Sequence, residues 1–156
     1  MTRKHRPIAP LRRRGVAAVE LGILMIPLLL LVFGSSELGR AVFSYNVLDK
    51  TVRDAARHLS QHGPGDATIA GEARCLAVYG NSDCSGSAVA PGLTTAMVTI
   101  CDASLCPGSH ANQLTGLGAV NLVTASVEGY TYNSIVKFVV PSMNFNRISV
   151  TMRAQL

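Results

Sequence analysis

Nineteen residues from Val16 to Gly34 contain a single charge, Glu20, and follow directly on Arg12-Arg13-Arg14-Gly15. A hydrocarbon core about 30 Å thick is crossed by roughly 20 apolar residues in a helix, so this run has the length of a membrane span. A carboxylate near the start of such a run is costly and therefore marks a function. The layout predicts membrane insertion, cutting at the glycine, and a buried Glu20 that needs a cationic partner.

Charge is distributed to match. Six of the fourteen basic residues (Arg3, Lys4, Arg6, Arg12, Arg13, Arg14) precede Gly15, where there is no acid. Without residues 1–15, eight basic residues face nine acidic ones, a net charge of −1. The basic character thus belongs to a leader, which the positive-inside rule holds in the cytoplasm. Everything after about Ser35 is then exported. With aromatics at 5% of the chain and no basic patch interleaved with them, nucleic-acid binding is excluded as a function class. All four cysteines (Cys75, Cys84, Cys101, Cys106) lie on the exported side, where disulfides persist.

Four segments follow: a basic leader at 1–15, a transmembrane helix at 16–34, an amphipathic helical extension at 35–62, and a small periplasmic α+β domain at 63–156. The extension is read from Leu38, Val42, Tyr45, Leu48, Val52, Ala55 and Leu59, which recur at alternating steps of four and three. That seam can pack on the chain's own domain or on neighbouring subunits, and along different lengths on both. His62-Gly63-Pro64-Gly65 ends it. Asp66 is placed to cap a helix over 67–78 that Gly80-Asn81 closes. Strands are expected at Thr94–Ile100, Val120–Val127, Ile135–Val140 and Ile148–Met152, with loops at 80–93 and 102–118. Short links favour antiparallel pairing. The expected fold class is α+β: a long N-terminal transmembrane and amphipathic helix packed on a small antiparallel β-sheet.

Two cutting sites compete. Gly34-Ser35-Ser36 is a weak signal-peptidase site, but the helical seam runs on past it, and Glu20 and Pro27 interrupt the apolar run. A cut between Gly15 and Val16 keeps the whole helix and creates an α-amine four residues before Glu20. Pairing that amine with Glu20 of another chain would set the stagger of packed helices. The competing reading has Glu20 pairing with the leader arginines or reaching the headgroups.

Arg14-Gly15-Val16-Ala17-Ala18-Val19-Glu20-Leu21, Pro27-Leu28-Leu29-Leu30-Leu31-Val32-Phe33-Gly34, Glu37-Leu38-Gly39-Arg40 and Val52-Arg53-Asp54-Ala55-Ala56-Arg57 together resemble the N-terminal module of the TadE-like pseudopilins. These are minor components of tight-adherence (Tad, or Flp-type) pilus systems. The resemblance implies a pilin-like fold, cleavage after Gly15 by a prepilin peptidase, and Glu20 as the fifth mature residue. It also implies partnership with other pilins, pseudopilins and inner-membrane Tad assembly proteins, in a system serving adhesion. Major Flp pilins carry a tyrosine after the glutamate and end soon after the helix. Leu21 and the domain beyond residue 62 therefore favour a minor pseudopilin.

Four cysteines allow three disulfide connectivities. Local loop closure favours Cys75–Cys84 with Cys101–Cys106, and a zinc site would ask for tighter pairs or more histidines. His58 and His62 stand at i, i+4 spacing without an evident third ligand, and read as a polar helix face. Gly116-x-Gly118 reads as a turn. There is no nucleophile elbow, phosphate loop or His-Glu-x-x-His pair, so neither an enzyme nor a cofactor is expected. The rival function is an uncleaved, signal-anchored periplasmic binding or adhesion module.

Overall fold

The computed structural model describes residues 13–116 and 118–155. Most of the basic leader, residues 1–12, lies outside the described residues. A single helix, α1 (Arg13–Ser60), runs for 48 residues without a break, through Pro27. At 1.5 Å per residue it is about 70 Å long. It begins before Val16, so Gly15 and Val16 lie in its first turn, and it stops two residues short of His62. From Gly15 to Phe33 every side of α1 is exposed, the surface expected of a helix whose solvent is lipid.

The second half of α1 is a wall of the head domain. Glu37, Ala41, Leu48, Thr51, Val52, Ala55, Ala56 and Leu59 are buried. Of the predicted seam, Leu48, Val52, Ala55 and Leu59 point into the chain's own core, whereas Leu38, Val42 and Tyr45 remain exposed. The buried stripe lies one position before the seam at its lower end, at Glu37 and Ala41. Leu38 and Val42 of the seam face away from that core, while Tyr45 meets Phe145 at its edge.

Helix α2 (Ala67–Tyr79) is capped as its sequence predicts. Asp66 accepts a hydrogen bond from Thr68 N–H at 2.8 Å, and Gly80 closes the helix at φ 75°. α2 packs on α1 through small residues: Ala70, Ala73 and Ala77 are buried, as are Ala55 and Ala56 of α1. His58 Nε2 lies 3.0 Å from Glu72 Oε2 and ties the two helices at their rim.

The remaining elements are strands β1 (Val98–Cys101), β2 (Gln113–Thr115), β3 (Gly118–Val120), β4 (Leu122–Val127), β5 (Thr131–Tyr132), β6 (Met143–Asn144) and β7 (Ile148–Arg153), with a one-turn helix α3 (Pro107–His110). A three-stranded antiparallel sheet has the order β1-β4-β7. Its register aligns Val98 with Val127 and Ile148, and Ile100 with Ala125 and Val150. These residues alternate onto one face and close the core against α1 and α2. β4 is buried on both faces because Thr124 and Ser126, on the far side, are covered too. Thr124 Oγ1 lies 2.8 Å from His110 Nε2, and Arg147 donates to Ser126 Oγ at 3.3 Å.

Several expected elements differ. The strand expected at Thr94–Ile100 opens instead with a 3₁₀ turn, Thr95–Met97, and pairing starts at Val98. Val120–Val127 is two strands, because Asn121 uses its side chain to accept from Asn112 N–H, 2.9 Å away, and separates β3 from β4. The loop expected at 102–118 holds α3 and the β2–β3 hairpin. Ile135–Val140 is no strand: it forms turns, with Val139 and Val140 N–H both donating to Val136 C=O. Its apolar residues lie beside α1 rather than against the sheet, and Val139 packs at Gly34. Apolar content alone does not distinguish those two surroundings.

Leu48 is fully buried, whereas Val42 is exposed on the same helix. Leu48→Ala is expected to destabilise the domain by about 2–5 kcal/mol, while Val42→Ala stays within about 0.5 kcal/mol. Thermal or denaturant unfolding in detergent measures both; equal effects would contradict this division of the helix.

Candidate assembly site

Gly15, Val16 and Glu20 share the exposed N-terminal section of α1. Glu20 follows Val16 by four residues, about 6 Å along the axis and on nearly the same face. Its side chain projects from the part of the helix that is exposed on all sides. A charge so placed needs a partner brought to it or a route to the headgroups.

A second acid marks the other end of the span. Glu37 comes three residues after Gly34, yet it is buried. Tyr132 donates its hydroxyl to Glu37 Oε2 at 3.0 Å, and Arg40 pairs with Oε1 at 3.2 Å. The Ser134 hydroxyl and Ile135 N–H face the same carboxylate. Burial raises its pKa, but those hydrogen bonds and the Arg40 charge outweigh it and hold the carboxyl below its ordinary value. Burial, joined by the carboxylate, pushes the Tyr132 phenol up. Phe145 backs this junction, its ring centroid 5.7 Å from Tyr45, 5.5 Å from Tyr130 and 6.2 Å from Tyr132. The head is therefore fastened to the helix where the apolar run ends. Sequence reasoning assigned Glu37 no role; the available signal was an acid with an arginine at i+3 immediately past the span.

The cysteines join as Cys75–Cys84 and Cys101–Cys106, with Cα atoms 4.8 and 5.4 Å apart. The first bridge ties α2 to the loop after it; the second closes the turn between β1 and α3. That turn is organised by Asp102, which accepts from Gly65 N–H at 2.9 Å, Ser104 N–H at 2.8 Å and Leu105 N–H at 2.7 Å. Burial opposes its ionisation, but these three donors win and its pKa is lowered. Cys101, Cys106 and His110 gather their ligand atoms within 4.8 Å. Sulfurs bonded to each other present no thiolate, so the group is not a metal site in the oxidised chain. His62 Nδ1 sits 2.8 Å from His58 C=O, and His58 faces Glu72. Both histidines are committed within the helical layer.

Because Glu37 has a lowered pKa, its contribution is complete above the ordinary value of 4.5 and is lost as pH falls through the folded value. Stability of the detergent-solubilised chain is expected to decline below that pH. Glu37→Gln should make the decline shallower, leaving the part due to Asp102. An identical acid limb in wild type and Glu37→Gln, followed by circular dichroism, would contradict this role.

Residues 15–57 match the family model described as TadE-like protein. The match begins at Gly15, covers Glu20 and Glu37, and ends three residues before α1 does. No curated protein and no solved structure matches the chain. The matched stretch holds the exposed apolar helix, which suggests a membrane-anchored protein, and supports a role in Tad/Flp pilus-related systems. Over residues 15–57 the chain is similar to TadE-like proteins, a family of pilus structure and assembly rather than one known for catalysis.

Proposed function

We propose that the chain is a minor pseudopilin that takes part in assembling a Tad/Flp-type pilus or secretion machine. A prepilin peptidase hydrolyses the Gly15–Val16 bond on the cytoplasmic side of the inner membrane, and the head domain, residues 63–156, stands in the periplasm. The observation that carries this reading is one unbroken helix with Gly15-Val16 in its first turn and Glu20 four residues on, inside the TadE-like match.

Hydrolysis leaves a carboxylate on Gly15 and an α-amine on Val16. That amine is a cation at the edge of the apolar layer, at the same level as Glu20 of a neighbouring helix. Bringing the two together neutralises both charges where the surroundings screen them poorly. An unpaired Glu20 resists deep burial, so pairing favours addition of a subunit in one axial register. The exposed stripe at Leu38, Val42 and Tyr45 continues this packing above the membrane. Partners are then other pilins, pseudopilins and inner-membrane Tad assembly proteins.

Mass spectrometry of the membrane-extracted protein is expected to show a chain beginning at Val16 when a prepilin peptidase is present and at Met1 when it is absent. Glu20→Gln is expected to be processed normally yet to reduce surface pili by a factor of ten or more, since about 1.4 kcal/mol of lost pairing is tenfold in an equilibrium. A chain that keeps its leader beside an active peptidase would favour the uncleaved, signal-anchored binding module instead. Wild-type piliation in Glu20→Gln would remove the pairing mechanism.

A further inference from the structure

The turn segment that replaces the expected strand is apolar, exposed and low on the molecule. β5 and β6 form a short ribbon, and residues 133–142 connect them. That connection holds Ile135, Val136, Phe138, Val139, Val140 and Pro141 around one charge, Lys137. Ile135 is 73% exposed and Phe138 80% exposed. A head domain in water would be expected to fold such side chains inward.

Phe138 shares an apolar recess of about 190 Å³ with Ile26, Leu29, Leu30 and Phe33 of α1. Ile26 lies eight residues before Gly34, about 12 Å deeper along the helix. We propose that the loop at 135–140 is a second membrane anchor, entering the leaflet on the head's side and lying among phospholipid tails beside α1. This rests on the reading of residues 16–34 as a membrane span.

Three observations support lipid as the occupant. The loop's exposed surface is continuous with the lipid-facing surface of α1 at the same height. Four of the six backbone N–H groups of residues 135–140 have partners at the junction, which lowers the cost of bringing irregular chain to the apolar layer. Val136 N–H donates to Ser134 Oγ at 3.1 Å, Val139 and Val140 N–H donate to Val136 C=O, Ile135 N–H faces Glu37, and Pro141 has no N–H. Lys137 supplies a cation on a long apolar stem, which reaches up to a headgroup phosphate. A second copy docked at this height would present residues 21–36, which include no Asp or Glu to meet Lys137. The Glu37 cluster fixes the base of the loop, so the loop's depth follows from the junction already described.

The chain has no tryptophan, so each single substitution to Trp reports one site. Full-length Phe138→Trp, Leu24→Trp and Leu114→Trp would be reconstituted in phosphatidylethanolamine–phosphatidylglycerol vesicles, with and without lipids brominated on the acyl chains. Leu24 lies in the span, and Leu114 is a head residue 89% exposed. Phe138→Trp is expected to emit at short wavelength and to be quenched severalfold more by brominated lipid than Leu114→Trp, approaching Leu24→Trp. If Phe138→Trp follows Leu114→Trp while Leu24→Trp is still quenched, the loop is not in lipid and the proposal fails with the span intact. If brominated lipid quenches neither Phe138→Trp nor Leu24→Trp, the membrane reading itself fails. Short-wavelength emission that disappears when the protein is diluted in excess lipid would show a second copy over the loop and would also overturn the proposal.

Discussion

One helix has to satisfy two solvents. Apart from Glu20, α1 presents apolar side chains all round from Gly15 to Phe33, then one buried stripe from Glu37 to Leu59. The change occurs within a few residues and without a break in the backbone hydrogen bonding of the helix. Glu37 sits at that change. Its charge would be unwelcome in lipid and equally so in a dry core, so its hydrogen-bonded burial fixes where one regime ends. The ribbon carrying Tyr132 and the aromatic cluster around Phe145 depend on that position.

A rigid connection follows. Above the junction the core is built directly on α1: Leu48, Val52, Ala55 and Leu59 meet the inward faces of β4 and β7, and Gln155 N–H donates to Ser60 C=O at 2.8 Å to lock the far end. With no linker between span and head, displacement of the span along its axis carries the head with it. The proposed addition to a growing bundle in one axial register would draw on that property. The disulfides serve a different purpose, securing loops around a core whose helical layer is made mostly of alanines.

Much of this was legible in the sequence because the signals were local. Asp66 and Gly80 announce both ends of α2, and hydrophobic length announces the span. The four-three seam located the core face of α1 where Leu48 to Leu59 lie, but not below it. There the buried positions shift to Glu37 and Ala41, and a buried acid does not score as a core residue. Ile135–Val140 was misread for the converse reason. Its β-branched, apolar composition suits a strand, yet here Phe138 and Val139 lie beside α1 instead of in the sheet. Likewise α3 and the β2–β3 hairpin are held by Asp102 and Asn121, contacts that spacing alone does not reveal, beside the Cys101–Cys106 bridge that local loop closure favours. Gly15 and Glu20 stand out in the sequence as candidates because a basic cluster and a lone carboxylate break an apolar run.

The continuity of α1 across the junction is tested most directly by amide hydrogen exchange on the full chain in detergent micelles or bicelles, read residue by residue from about Leu31 to Leu48. Slow exchange throughout, with Ser35, Ser36 and Glu37 protected like their neighbours, is the result expected if span and head form one body. Fast exchange confined to residues 34–40 would reveal a hinge there. It would contradict the rigid coupling between membrane and head.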